Sequence, residues 1–283
     1  MGSDITKVDH AILFVRDLDA AAAQYRRLGF SPSPRYTHPW GGFSNQNLIF
    51  QNDYVELLLP VEPTDRNLAR FRELDRAGEG LKDISLAVPN SAAAAHAYAA
   101  AGLPSLPPAD IGRPVTRPDG THEAKFCVVY LPVDRLMPGL NVHMIQHFTP
   151  ELVWLPEFQT HPNGARALRR LVVAAPDPET FVAPYAAMFD AVPRKNPGGG
   201  VTIPAAQMSF DFVPPDQLAT LFPGVRFAAP PPFVAALEIG LEDRERARAH
   251  LVKENVPHRV AADGALEVPA DQACGVVIRL RQP

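Results

Sequence analysis

From Val8 to Val15 the chain alternates. A period of two puts His10, Ile12 and Phe14 on one face of a strand and Ala11, Leu13 and Val15 on the other. Asp17 follows as a helix N-cap, and the Ala-rich run after it has high helix propensity. Leu18, Ala21, Ala22, Tyr25 and Leu28 recur at helical spacing before Gly29, which predicts a helix stop. Phe43 to Gln51 and Asp53 to Leu59 then read as two strands joined at Gln51-Asn52. The predicted order is β-α-β-β-β.

The pattern returns. A second copy opens at Leu81 to Val88, with Ser91 as the cap of a helix over Ala92 to Ala101, Pro104 to Pro108 as a rigid link, and late strands at Lys125 to Leu131 and Leu140 to His147. Arg117-Pro118-Asp119-Gly120 is a turn signal. A third copy opens at Leu168 to Ala175, and Pro184 in its helix predicts a late start or a kink. A fourth opens at Phe233 to Leu241, followed by a helix over Asp243 to Asn255 and strands near Arg259, Ala265 and Val276. Repeats of this length mark units that bury their apolar faces only by pairing. The prediction is an α+β chain of four βαβββ modules in two domains, residues 1–150 and 165–283, joined by the aperiodic stretch Thr149 to Gly164.

Composition narrows the function. A length of 283 residues accommodates two ordinary domains. The formal charge of −4 and the lack of a basic stripe argue against nucleic acid as a partner. No apolar run reaches the roughly 20 residues of a membrane span, and Met1-Gly2-Ser3-Asp4 does not read as a signal region, so a soluble cytoplasmic protein is expected. Cys127 and Cys274 are too few for a disulfide framework or a thiolate zinc site. The 31 prolines fall between strands and in loops, as in a chain with many sheet edges.

Several segments resemble the vicinal oxygen chelate superfamily, and within it the glyoxalase-like domain proteins. They are Val8-Asp9-His10 with Asp17-Leu18, His38-Pro39-Trp40-Gly41 with Asn47, Tyr54-Val55-Glu56-Leu57-Leu58, His147 to Trp154, and His161-Pro162-Asn163-Gly164-Ala165, together about the first 165 residues. The resemblance implies cupped sheets with metal ligands on the first and last strands of two paired modules. Carried over by position, His10 and Glu56 are the ligands of module one; Asp83 and His143 are those of module two. Two imidazoles and two carboxylates suit one divalent Fe, Mn, Ni or Zn ion. Asp83 stands where the family usually has His or Gln; without it, His10, Glu56 and His143 form a two-His, one-carboxylate set. A shifted register would replace His143 by Gln146, while strand alternation favours His143.

Taken alone, His10 also reads as a hydrogen-bonded core histidine and Asp83 as a polar strand start. An unpaired Glu56 in the apolar strand Val55 to Leu59 would be costly. His38, Asn47, Arg113 and His147 are candidate substrate-binding residues, and Arg113 or Arg117 could hold an anion bidentately. In the C-terminal half Arg170 occupies the position of His10, and the last strand offers only Arg279, so this half is expected to be structural.

The expected activity is metal-dependent lyase or isomerase chemistry on a small oxygenated molecule, with Glu56 or Asp83 as base. The alternatives are Fe²⁺-dependent extradiol ring cleavage and metal-free binding of a small molecule. The expected partners are a small-molecule substrate and, as an open option, a second copy of the chain.

Overall fold

The computed structural model describes residues 4–38, 41–65, 67–100, 102, 105–131, 136 and 140–283. Its N-terminal part forms one eight-stranded sheet. The strands are β1 (Lys7–Phe14), β2 (Tyr36–His38), β3 (Phe43–Ile49), β4 (Tyr54–Pro60), β5 (Gly80–Ala87), β6 (Ala109–Arg117), β7 (Gly120–Tyr130) and β8 (Asn141–His147). Their order is β2-β3-β4-β1-β5-β8-β7-β6. The first strands of the two modules, β1 and β5, pair antiparallel at the centre, and each pairs in parallel with the last strand of its own module, β4 or β8. The edges β2 and β6 curl toward one another, so the sheet is a nearly closed cup.

The same plan repeats in β9 (Ala165–Ala174), β10 (Arg194–Lys195), β11 (Val201–Ala205), β12 (Met208–Val213), β13 (Phe233–Leu241), β14 (Arg259–Val260), β15 (Leu266–Val268) and β16 (Val277–Arg281). Here the order is β10-β11-β12-β9-β13-β16-β15-β14. This is the α+β architecture of paired βαβββ modules expected from the repeats.

Helix α1 (Leu18–Arg27) forms where Asp17 caps it, its carboxylate accepting from the N–H groups of Asp19 and Ala20 at 2.9 and 3.0 Å. Gly29 ends it at φ +88°, a conformation open to glycine at little cost. Helix α2 (Leu68–Ala77) joins the first two modules and is outside the repeating pattern. In α3 (Ser91–Ala100) the capping side chain is Asn90, which accepts from the N–H of Ala93 at 2.9 Å. Ser91, expected to cap, instead donates its hydroxyl to the Cys127 carbonyl at 2.8 Å. Pro184 neither delays nor breaks α4 (Glu179–Phe189). The remaining helices are α5 (Leu218–Leu221) and α6 (Arg244–Lys253), the latter capped by Asp243. Pro39, Trp40, Ala101 and Pro104 of the sequence motifs lie outside the described residues.

Alternation sorts the apolar side chains. Ala11, Leu13 and Val15 join Tyr25, Phe30, Leu171, Tyr185 and Phe210 in one core that both halves share. Ile12 and Phe14 face the first cup with Phe43 and Leu58. Polar contacts tie the halves further: Gln207 exchanges hydrogen bonds with the backbone of Val8 at 3.0 and 2.6 Å, and Tyr25 donates to the Ala273 carbonyl at 3.3 Å. No helix among the described residues is long and apolar enough to cross a membrane.

Candidate active site

The first cup encloses a cavity of about 900 Å³. Its centre comes from the four middle strands, which contribute His10, Glu56, Asp83 and His143. The flanking strands add His38, Asn45, Asn47 and Arg113. Phe43, Leu58, Phe126, Val128 and Ile145 give the rest an apolar lining. Of the residues singled out in the sequence for the site, His10, His38, Asn47, Glu56, Asp83, Arg113 and His143 line this space; His147 and the alternatives Gln146 and Arg117 do not.

His10 is the most constrained of these groups. It stacks on Tyr54 with ring centres 4.3 Å apart, and its Nδ1 lies 2.8 Å from Asp9 Oδ1. Asp9 is fully buried; Nε2 of His147 also approaches its two oxygens, at 3.1 and 3.2 Å. Burial alone would raise the Asp9 carboxyl, but hydrogen bonds and charges from both imidazoles outweigh it and hold the group well below the ordinary carboxylate range. An ionised Asp9 accepts the Nδ1–H of His10, which fixes the tautomer and leaves Nε2 as a lone pair facing the cup. His147 is therefore a support beneath the site rather than a wall of it, enclosed by Trp154 and Phe126.

That lone pair points at Glu56. The distance from His10 Nε2 to Glu56 Oε2 is 3.5 Å, and Oε1 accepts a short hydrogen bond from the Asn45 amide. Burial pushes the Glu56 carboxyl up, partly offset by His10, the Asn45 bond and Arg113. A lone pair and a carboxylate that face one another in a buried site need positive charge between them, a proton or a metal ion.

His143 pairs in register with Ser85 and lines the cavity, its ring centre 5.8 Å from that of His10. Its buried Nδ1 meets no hydrogen-bond partner among the described residues. Burial, reinforced by His10 and Arg70, holds this imidazole well below the ordinary histidine range, in the neutral form that binds metals. The neighbouring candidate Gln146 faces away, accepting from the Ser91 N–H at 3.0 Å.

Asp83 lies in the cup with both oxygens engaged. Arg70 of α2 donates to Oδ2 at 2.8 Å and Asn141 to Oδ1 at 2.5 Å. Arg70, Asn141 and Asn45 are site residues that the repeat pattern did not point to.

Among the described residues, no three His, Cys, Asp or Glu side chains already converge on a common point as a finished metal site. The donor types fit an ion nonetheless: His10 Nε2 and Glu56 lie adjacent, and His143 lines the same cavity with an unpartnered nitrogen.

The outer candidates differ in placement. His38 Nε2 stands 4.0 Å from Glu56 Oε1, and burial followed by the charge of Arg113 lowers its pKa to about 4. Asn47 lines the cavity and accepts from Asn45 at 3.2 Å. Arg113 is buried on β6 with its guanidinium 3.8 Å from the ring centre of Tyr36 on β2, so it bridges the two edges of the cup. Arg117 sits at the β6–β7 turn, opposite Gly120 and away from the cavity.

The second cup is filled by different residues. Strand register places Arg170, Asp211, Glu238 and Arg279 where the first cup has His10, Glu56, Ser85 and His143. Arg170 pairs with Asp211 at 3.2 Å and with Glu238 at 2.9 Å. Arg279 contacts Glu238 and also reaches Glu267 at 2.9 Å and Asp263 at 2.8 Å. Guanidinium groups fill the place that the first cup leaves open.

The fold and this arrangement of strands define a vicinal oxygen chelate protein. A family model described as a glyoxalase-like domain matches residues 8–189, and the chain belongs to that family. Among solved structures, a hypothetical protein from Staphylococcus aureus is similar with a TM-score of 0.70 at 12% identity, over 98% of this chain and 99% of that one. A mutant of 4-hydroxymandelate synthase from Streptomyces coelicolor gives a TM-score of 0.65 at 14% identity, covering 98% and 92%. A xylose isomerase-like TIM barrel/4-hydroxyphenylpyruvate dioxygenase fusion protein gives 0.60 at 17%, covering 98% of this chain and 49% of that one. A search of curated protein sequences returned no match. At such identities these likenesses speak to fold alone.

Proposed function

We propose that the first cup is the active site of an enzyme in which His10, Glu56 and His143 hold one divalent metal ion and a small oxygenated molecule binds beside them. The observation that carries this reading is the His10–Glu56 pair, fixed by Asp9 so that an imidazole lone pair and a buried carboxylate face each other at 3.5 Å. The ion would act as a Lewis acid on two neighbouring substrate oxygens. The chain's own groups do the rest: Asp9 and His147 orient His10, Asn45 orients Glu56, and the apolar lining limits water in the cavity.

The engagement of Asp83 by Arg70 and Asn141 bears on the choice of chemistry. The lyase or isomerase expectation drew on Asp83 as a fourth ligand, and a carboxylate already paired with the Arg70 cation is a poorer one than Glu56, whose hydrogen bond comes from the neutral Asn45 amide. Three donors leave open positions for a chelating substrate and a further ligand such as O₂. The reading favoured is therefore oxygen-dependent cleavage of a small, oxygen-bearing aromatic or apolar molecule; one structure of similar fold is a 4-hydroxyphenylpyruvate dioxygenase fusion protein. Redox-neutral lyase or isomerase work is the second reading.

Elemental analysis of full-length protein loaded with Fe²⁺ or Zn²⁺ tests the metal. About one ion per chain is expected, lost in both His10→Ala and Glu56→Ala while the fold is retained. Full retention in both variants would overturn the site. Oxygen uptake by the Fe²⁺ protein with a panel of catechols tests the chemistry. Rapid uptake with a yellow ring-opened product supports cleavage, and its absence across the panel returns the choice to the redox-neutral reading.

A further inference from the structure

Among the described residues, the buried cations Lys82 and Arg279 meet an anion, as does the half-buried Arg70. Arg70 meets Asp83, Arg279 meets three carboxylates, and Lys82 lies 3.8 Å from Glu73. Arg113 is the exception. It is 3% exposed, its Nη1 is buried with no hydrogen-bond partner, and none of the described carboxylates forms an ion pair with it. A guanidinium removed from water without a partner is strongly unfavourable, so its presence in the wall of a cavity requires an explanation beyond folding.

The geometry narrows the explanation. Stacking over Tyr36 uses one face of the guanidinium plane and holds it in place. The N–H groups of its buried Nη1 have no partner among the described residues. An edge of parallel N–H donors matches a carboxylate, which accepts two bonds at once. The strand pairing is regular here, with Arg113 opposite Ala124, so the guanidinium stands on a sheet rather than on a mobile loop. Its charge reaches the centre of the cup, where it acts on both His38 and Glu56. The space between is walled by Phe43, Leu58, Phe126, Val128 and Ile145.

We infer that Arg113 is the carboxylate-binding residue of this cup, and that the substrate is a small organic acid. It carries a carboxylate at the Arg113 end, an apolar or aromatic body, and neighbouring oxygens at the His10–Glu56 end. Only the last of these features rests on the proposed metal site; the carboxylate end stands on Arg113 itself.

The test compares 3,4-dihydroxybenzoate with its neutral amide, 3,4-dihydroxybenzamide, by calorimetry on the full-length protein with and without Zn²⁺. The two probes share the ring and the diol and differ in charge. Wild-type protein is expected to bind the acid at least about tenfold more tightly, the usual scale of a charge-assisted pair. Arg113→Met should bring the two within about twofold, and Arg113→Lys should keep part of the preference. Arg113→Met should also unfold at the same or a higher temperature than wild type, since it removes an unpaired buried charge; a structural arginine would give a clear drop. An acid preference that survives Arg113→Met, no preference in wild type, or no binding of either probe would overturn the inference. Preference for the acid that depends on Arg113 but not on Zn²⁺ would uphold the inference while the metal reading fails. Tight Zn²⁺-dependent binding of both probes alike would do the reverse.

Discussion

Asp9 is joined to His10 by sequence and by a hydrogen bond, although strict alternation would send neighbouring side chains to opposite faces of β1. The pairing of β1 with β5 slips between Val8 and His10, and that irregularity lets both reach the same side. Asp9 then accepts from His10 and from His147 at once. Asp9→Asn keeps the shape but supplies one acceptor oxygen and an unwanted donor. It should weaken metal binding by about 10–100-fold, the usual cost of losing an orienting carboxylate behind a histidine ligand. Competition with a chelator for Zn²⁺ measures this, with circular dichroism as the check on folding; unchanged affinity would mean that Asp9 serves packing alone. His10, Glu56 and His143 were legible in the sequence because each falls on the cup face of an alternating strand, His10 staying in phase with Ile12 beyond the slip at Asp9. Asp9 was visible only as part of a motif, because a bulge cannot be read from alternation. His147 was legible as a neighbour of the site but not as its support, since its side depends on how far β8 runs before the chain turns at Thr149.

At the scale of elements, the repeat announced the strands and helices inside each module and said nothing of what joins them. Helix α2 is such a joint, and it carries Arg70, whose pairing with Asp83 decides how many donors the cup offers. The capping of α3 by Asn90 rather than Ser91 turns on a single residue, a distinction that two adjacent capping residues in sequence cannot make. The stretch between the halves, aperiodic in sequence, is ordered by specific polar contacts. His161 Nδ1 accepts from the Ser31 N–H at 3.0 Å while Nε2–H donates to the Ile49 carbonyl at 2.9 Å, an arrangement only the neutral ring can make. Burial lowers its pKa from 6.5 to about 4, against a weaker opposite pull from the Ile49 carbonyl. The unfolded chain therefore takes up this proton first as pH falls. The contribution is complete above pH 6.5 and is lost between there and about pH 4, on the order of 3 kcal/mol. Urea unfolding between pH 7 and 4 should show that slope, and His161→Gln should flatten it; an equal slope in the variant would place the titration elsewhere.

Across the whole molecule, two copies of one architecture meet in a shared core, and only their cups differ. In the first, imidazoles and a carboxylate face an open cavity. In the second, Arg170 and Arg279 stand at the register positions of His10 and His143, and four carboxylates surround them. With Arg259 on Glu267 and Arg281 on Glu238 and Asp263, four guanidiniums meet four carboxylates, so the charges of the second cup are balanced from within. The two cups thus give the same residue type opposite expected effects. Arg113 in the first is unpaired, and its removal should not destabilise the fold. Arg279 in the second is 5% exposed and holds Glu238, Glu267 and Asp263 together. Arg279→Met leaves Glu238 to Arg170 and Arg281, Glu267 to Arg259 and Asp263 to Arg281, so the cluster keeps four carboxylates on three guanidiniums. This should cost about 2–3 kcal/mol and lower the unfolding temperature by several degrees. Because the shared core carries the damage to both halves, a single cooperative transition at the lower temperature is expected by calorimetry. Metal content at 25 °C should be unchanged, since His10, Glu56 and His143 lie in the other cup. A variant as stable as wild type would show that the carboxylates of the second cup do not depend on Arg279. A variant that loses its metal while still folded would move the ion to the second cup and overturn the division of roles between the two halves.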